Sequence, residues 1–96
     1  MMMRVRSTEI RRDLVDRMID LYCDWRTECA GVQAAYERFR HASAPDREGA
    51  FAAYRAALDR EQCACDAYAE QVRLVQSRFT EQNASVRPRD SPFRRP

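Results

Sequence analysis

The chain has 96 residues, a net charge of +2 and only two Gly, and 45% of its residues are hydrophobic. This length fits one small domain, and a core of this size is marginal unless the chain associates with another one. No apolar run approaches the roughly 20 residues of a membrane span. Residues 1–6 lack the apolar core of a secretory signal, so we expect a cytoplasmic protein without membrane contact.

The first predicted element is a helix over residues 7–42. Ser7 and Glu9 suit a helix start, because a capping hydroxyl and an early carboxylate both favour its positive end. Apolar residues then recur with an average spacing of about 3.6, the helical period. They are Ile10, Leu14, Met18, Leu21, Trp25, Cys29, Val32, Tyr36 and Phe39.

A second helix is predicted over residues 45–81, after a break around residues 41–44. Pro45 suits a first helical turn, and Asp46 and Glu48 follow it. The apolar residues are spaced by three and four with one gap at Glu61, and they are Phe51, Tyr54, Leu58, Cys65, Tyr68, Val72, Val75 and Phe79. Residues 1–6 are predicted to be flexible, and residues 83–96, rich in Arg and Pro, are predicted to be disordered.

The short connection predicts an all-α fold, an antiparallel hairpin of two long helices resembling a coiled coil. The two apolar patterns then pair in one register, in which the numbers of facing residues add to about 90. The expected pairs include Phe39 with Phe51, Tyr36 with Tyr54, Val32 with Leu58, Trp25 with Cys65, and Leu14 with Val75. Glu28 and Glu61 fall in one layer of this register, where we expect a polar contact completed by Gln62, Arg26 or Arg60.

Two helices cannot enclose a core, so a homodimer forming a four-helix bundle is expected. The first helix carries a flank of apolar residues repeating every seven positions, Val15, Tyr22, Cys29 and Tyr36. The second carries a strip of small residues, Ala50, Ala53, Ala57, Ala64 and Ala67, where another helix could approach. The candidate interaction residues are Tyr22, Cys29, Tyr36, Ala57 and Ala64.

The four cysteines do not have zinc-site spacing. Cys63 and Cys65 point to nearly opposite faces of a helix, so four thiolates cannot converge on one metal. We interpret Cys29 and Cys65 as small core residues, and Cys23 and Cys63 as exposed thiols. No cofactor, metal or catalytic residue is predicted, because the chain also lacks a nucleophile with a base and has a single His.

The charge is distributed unevenly, since residues 1–12 and residues 83–96 each carry a net +3 and the body between them is acidic. In a hairpin both basic segments start from one end. The predicted function is a non-catalytic protein–protein interaction module with an unidentified partner. A thiol or carboxylate metal-binding or redox protein, and a nucleic-acid accessory factor acting through the basic termini, are the alternatives; solvated termini are favoured over nucleic-acid binding.

One resemblance covers about residues 14–80. The stretch 21–29, LYCDWRTEC, is followed by Val32, Ala35 and Tyr36 and then by the stretch 51–61, FAAYRAALDRE. In these segments the chain resembles small uncharacterised actinobacterial helical-hairpin proteins. The resemblance implies a helical hairpin and carries no assigned activity or functional residue.

Overall fold

A computed structural model describes residues 7–86, and the side chains of residues 8–81. Helix α1 spans Ser7–Arg40, a short 3₁₀ turn spans Ala44–Asp46, and helix α2 spans Arg47–Val86. The two helices pack against each other, and this part of the chain contains no strand. The predicted all-α hairpin is therefore confirmed. The predicted flexible residues 1–6 and most of the predicted disordered tail lie outside the described residues.

Both helix ends at the turn are closed by local hydrogen bonds. The amide of Ala42 donates to the carbonyl of Phe39 at 3.2 Å, and the amide of Asp46 donates to the carbonyl of Ser43 at 3.0 Å. The Ser43 hydroxyl also donates to the Asp46 carboxylate at 3.1 Å. Pro45 fits this short turn because its fixed backbone angle suits the start of a helix. At the far end, α2 continues to Val86, five residues beyond the predicted end at residue 81.

The helices meet along a seam in which both sequences follow a seven-residue repeat. Each of its members is buried or half-buried. The α1 members are Leu14, Met18, Leu21, Trp25, Glu28, Val32, Ala35 and Phe39, and the α2 members are Ala50, Tyr54, Ala57, Glu61, Ala64, Tyr68, Gln71 and Val75. Alternating steps of three and four keep one face of each helix toward the other over the whole length, as in a coiled coil.

The predicted register is confirmed at several contacts across this seam. The Phe39 and Phe51 rings lie 5.4 Å apart between centroids, and the Tyr36 and Tyr54 rings 5.5 Å apart. Both pairs have numbers that add to 90. Nearer the chain ends, the Tyr22 and Tyr68 rings lie 5.5 Å apart between centroids, and their numbers also add to 90. The two helices of the hairpin are therefore aligned as the sequence pattern predicts.

The rotation of the helices about their axes differs from the prediction by one residue in places. Ala35 and Ala57, with 2% and 1% of their surface exposed, fill the seam where Tyr36 and Leu58 were expected. Tyr36 and Leu58 are 40% and 39% exposed beside it. Small side chains let the helix backbones come close together, and the larger neighbours are then displaced to the flank. The prediction that Leu58 is a seam residue is wrong.

One residue of the predicted outward alanine strip on α2, Ala57, does not face outward. Ala57 is buried against α1 and has no surface for a further helix. Ala50 and Ala64 are half-buried seam residues, whereas Ala53 and Ala67 are exposed. Ala57 and Ala64 therefore serve contacts within the hairpin.

Candidate interaction surface

One long edge of the hairpin is apolar, and we call it the apolar edge. Eight of its residues directly follow seam residues, and Phe79 continues their spacing seven residues after Val72. The eight are Val15, Tyr22, Cys29 and Tyr36 on α1, and Phe51, Leu58, Cys65 and Val72 on α2. Because the helices are antiparallel, both sets fall on the same side of the seam. The Tyr22 ring also reaches across the seam, to the Tyr68 ring of α2 at 5.5 Å between centroids.

The opposite edge is polar and forms an open groove of about 550 Å³. Asp24, Arg60 and Ala67, each of which directly precedes a seam residue, line it together with Cys63. Acidic side chains of Glu28 and Asp59 also reach this groove, among other residues. The hairpin is therefore amphipathic, with an apolar edge on one side of the seam and a polar edge of mixed charge on the other.

The large hydrophobic side chains that remain exposed are concentrated on the apolar side. Between 39% and 51% of the surface is exposed at Ile19, Tyr22, Tyr36, Phe51, Leu58 and Phe79. At about 200 Å² for a fully exposed side chain of this size, these fractions amount to roughly 500 Å² of apolar surface. Patches of this size on a small protein are commonly binding sites. Leu74, 44% exposed, lies on the polar edge instead.

Two aromatic clusters give the apolar edge a fixed shape. Toward the chain ends, Trp25 stacks on Tyr68 with 5.7 Å between centroids and 14° between planes. Tyr22 meets both rings edge-on or tilted, at 6.0 Å from Trp25. Toward the turn, the edge residues Tyr36 and Phe51 contact the seam rings of Tyr54 and Phe39 at 5.5 and 5.4 Å between centroids. Such ring contacts restrict side-chain rotation, so the edge presents a largely preformed surface.

A polar layer interrupts the seam near its middle. The Trp25 indole Nε1 donates to Glu61 Oε2 at 2.6 Å, and the Cys29 Sγ lies 4.0 Å from the same oxygen. On the other side of the seam, Arg60 Nε donates to Glu28 Oε1 at 3.4 Å. The predicted layer and the predicted guanidinium partner of Glu28 are confirmed. The predicted partners of Glu61 are wrong, because its carboxylate is bound by the indole and not by an amide or a guanidinium.

Removing the Glu61 carboxylate should destabilise the hairpin, because the indole N–H of Trp25 is part-buried and would lose its acceptor. We expect Glu61→Ala to lower the free energy of unfolding by about 1–3 kcal/mol. Glu61→Gln keeps an acceptor oxygen in place and should cost clearly less. Urea unfolding followed by Trp25 fluorescence measures both variants. Equal losses for the two would show that the hydrogen bond contributes nothing.

The cysteines are distributed between the two edges of the hairpin. Cys23 and Cys63 are exposed, as predicted, and Cys29 and Cys65 are half-buried thiols on the apolar edge rather than in the seam. All four are free thiols. Within the described residues no three His, Cys, Asp or Glu side chains are grouped as a metal site.

The predicted interaction residues are thus partly brought together. Tyr22, Cys29 and Tyr36 lie along one edge, whereas Ala57 is buried and Ala64 belongs to the seam. The α2 half of the edge was missed, because Phe51, Leu58 and Phe79 were assigned to the seam. The signal that could have found them is the seven-residue repeat, which becomes regular in both helices once alanine is accepted as a seam residue.

No protein-family model, curated protein or solved structure matches this chain. In the part of the chain that the structure describes, neither helix is long and apolar enough to cross a membrane.

Proposed function

We propose that the chain is a non-catalytic helical interaction module that binds a second copy of itself through the apolar edge, forming a four-helix bundle. The observation that carries the proposal is the width of the apolar stripe. Two-helix coiled coils bury two positions in every seven, whereas helices of larger bundles bury three. Here both helices carry apolar residues at the two seam positions and at the position that follows one of them, as with Leu21 and Tyr22.

The area of the edge supports a second copy as the partner. Two such edges packed together would bury about 1,000 Å² from the large side chains alone, which is near the lower bound for a specific interface. The half-buried Val15, Cys29, Cys65 and Val72 add to this area. The edge runs along most of the hairpin, so another elongated helical pair of equal length is the shape that covers it best.

The third apolar position, the one that directly follows a seam residue, lies on the same side of the seam in both helices because the helices are antiparallel. A single hairpin therefore leaves its extra apolar stripe open on one side only. Docking two apolar edges covers the open side of both hairpins at once and leaves each polar edge in water. This arrangement also offsets the small core that a two-helix unit of this length can bury.

Light scattering coupled to size-exclusion chromatography tests the proposal. The chain has a mass of 11.3 kDa, so a scattering mass of about twice that value is expected at micromolar concentration. Dilution should lower the mass toward the monomer, and thermal stability should fall in parallel, because association and folding are linked. A stable monomer at 100 µM would contradict the proposal.

A further inference from the structure

We infer that the two copies pack with their turns at the same end, so that α1 of one hairpin lies across from α2 of the other. This inference rests on the proposed self-association and adds its geometry. Two edges that meet face to face about a two-fold axis have two choices. The axis runs along the bundle and keeps the turns together, or it runs across the bundle and places them at opposite ends.

The rows of residues bordering the apolar edge distinguish the two choices. On each helix, one row of mostly exposed side chains lies just outside the edge and repeats every seven residues, and we call these the rim rows. The α1 rim row is Arg12, Ile19, Arg26, Gln33 and Arg40, and the α2 rim row is Glu48, Arg55, Gln62, Ala69 and Gln76.

With the turns at the same end, each residue of the second copy lies at the same height along the bundle axis, here called its level, as in the first copy. Contacts within the hairpin fix these levels: Glu28 meets Arg60, and Tyr22 meets Tyr68, so facing numbers add to between 88 and 90. The α1 rim row of one copy then faces the α2 rim row of the other in pairs that each add to 88. The pairs are Arg12 with Gln76, Ile19 with Ala69, Arg26 with Gln62, Gln33 with Arg55, and Arg40 with Glu48.

Every one of these pairs is chemically compatible. Each arginine faces an amide or a carboxylate that can accept its hydrogen bonds, and the apolar Ile19 faces the small Ala69. Ile19 is 51% exposed in the single hairpin, so this pairing also explains how the most exposed large hydrophobic side chain would be covered. No arginine faces another arginine.

The apolar edge itself matches in the same arrangement. Its residues face one another in pairs that add to 87, which are Val15 with Val72, Tyr22 with Cys65, Cys29 with Leu58, and Tyr36 with Phe51. Along α1, tyrosines alternate with smaller residues, and Tyr22 and Leu58 each face a cysteine, whereas Tyr36 faces the bulky Phe51. Alternation of large and small side chains lets facing layers interdigitate.

With the turns at opposite ends, each rim row faces itself in reverse. Centring the α1 row on Arg26 places Arg26 against Arg26 and Arg12 against Arg40, and like charges that face each other disfavour association. The alignment can instead be shifted by half of the seven-residue repeat. The apolar Ile19 then faces Arg26, and Arg40 faces no rim residue. Neither alignment matches the whole row, whereas the same-end arrangement matches all five positions.

Distances between spin labels test the arrangement in the full chain. A nitroxide is attached through a keto amino acid at Ala44, in the turn, or at Thr8, near the chain ends, so that the four cysteines remain unmodified. Both positions are exposed. Helix α1 is about 50 Å long, and neighbouring helices in a bundle lie about 10 Å apart. Pulsed electron paramagnetic resonance distinguishes two labels at the same end of the bundle from two labels at opposite ends.

Same-end packing predicts separations below about 30 Å for the Ala44 label paired with itself and for the Thr8 label paired with itself. In a mixture of the two singly labelled proteins, the distance between an Ala44 label on one copy and a Thr8 label on the other is then about 50 Å. Opposite-end packing reverses the pattern, with long like pairs and a short unlike pair, and would overturn the inferred geometry while leaving self-association intact. The absence of any intermolecular distance would contradict self-association itself.

Discussion

Leu58→Glu is expected to convert the self-associated chain to a monomer. Leu58 lies on the apolar edge and is 39% exposed in the single hairpin, so the surface it retains would be buried only on association. A carboxylate at this position would be transferred from water into an apolar interface without a partner, which costs several kcal/mol. The cost arises twice in a symmetric dimer, so we expect the dissociation constant to rise by at least about 100-fold, equivalent to about 2.7 kcal/mol.

Leu74→Glu is the matched control. It makes the same substitution in the same helix at a residue of similar exposure, 44%, but on the polar edge. We expect this variant to associate like the unmodified chain in sedimentation equilibrium. Tyr22→Glu, on the α1 side of the apolar edge, should behave like Leu58→Glu. Circular dichroism establishes that each variant keeps its helices. If Leu74→Glu dissociated the chain and Leu58→Glu did not, the interface would lie on the polar edge.

The fold could be predicted from the sequence because two strong signals agree. Long helical periodicity on both sides of a short Pro-containing break leaves an antiparallel hairpin as the compact solution. The register followed from matching the two apolar patterns, and Phe39 with Phe51 and Tyr36 with Tyr54 confirm it to within one residue. Register is well determined here because a shift of even a few residues would place many large side chains against polar ones.

The orientation of each helix about its axis was harder to predict. The large apolar side chains of α1 have an average spacing of 3.6. A seam built from large apolar side chains alone includes Tyr36 on α1 and Leu58 on α2. In the structure the spacing is 3.5 and the seam accepts Ala35 and Ala57. A difference of about 20° accumulates in every seven residues between these two periods. Over a helix of 34 residues it is enough to exchange a seam residue for its neighbour.

The error of one residue in the rotation of the helices explains why only the α1 half of the candidate surface was predicted. The α1 flank of Tyr22 and Tyr36 was recognised as an extra stripe, but its α2 counterpart had already been assigned to the core.

The partner of Glu61 was missed for a different reason. The sequence places Trp25 and Glu61 one turn apart in neighbouring layers, and only the side-chain conformation of the indole brings its Nε1 to the carboxylate.

Ala57→Arg should unfold the hairpin, because Ala57 is 1% exposed and packs directly against α1. A guanidinium cannot fit between two closely packed helices, so the helices must separate or the charge must be buried without a partner. Either outcome costs at least about 3 kcal/mol, which is comparable to the whole stability expected of so small a core. Far-UV circular dichroism should show a large loss of helix at 25 °C.

Ala56→Arg is the control for this substitution, since Ala56 is the preceding residue and is exposed. It should leave both helix content and thermal unfolding nearly unchanged, because arginine is a good helix former at a solvated position. Ala35→Arg, at the other alanine buried in the seam, should reproduce the loss seen with Ala57→Arg. A folded but monomeric Ala57→Arg protein would instead place Ala57 at the surface between copies, and the seam would then run along the neighbouring residues Tyr36 and Leu58.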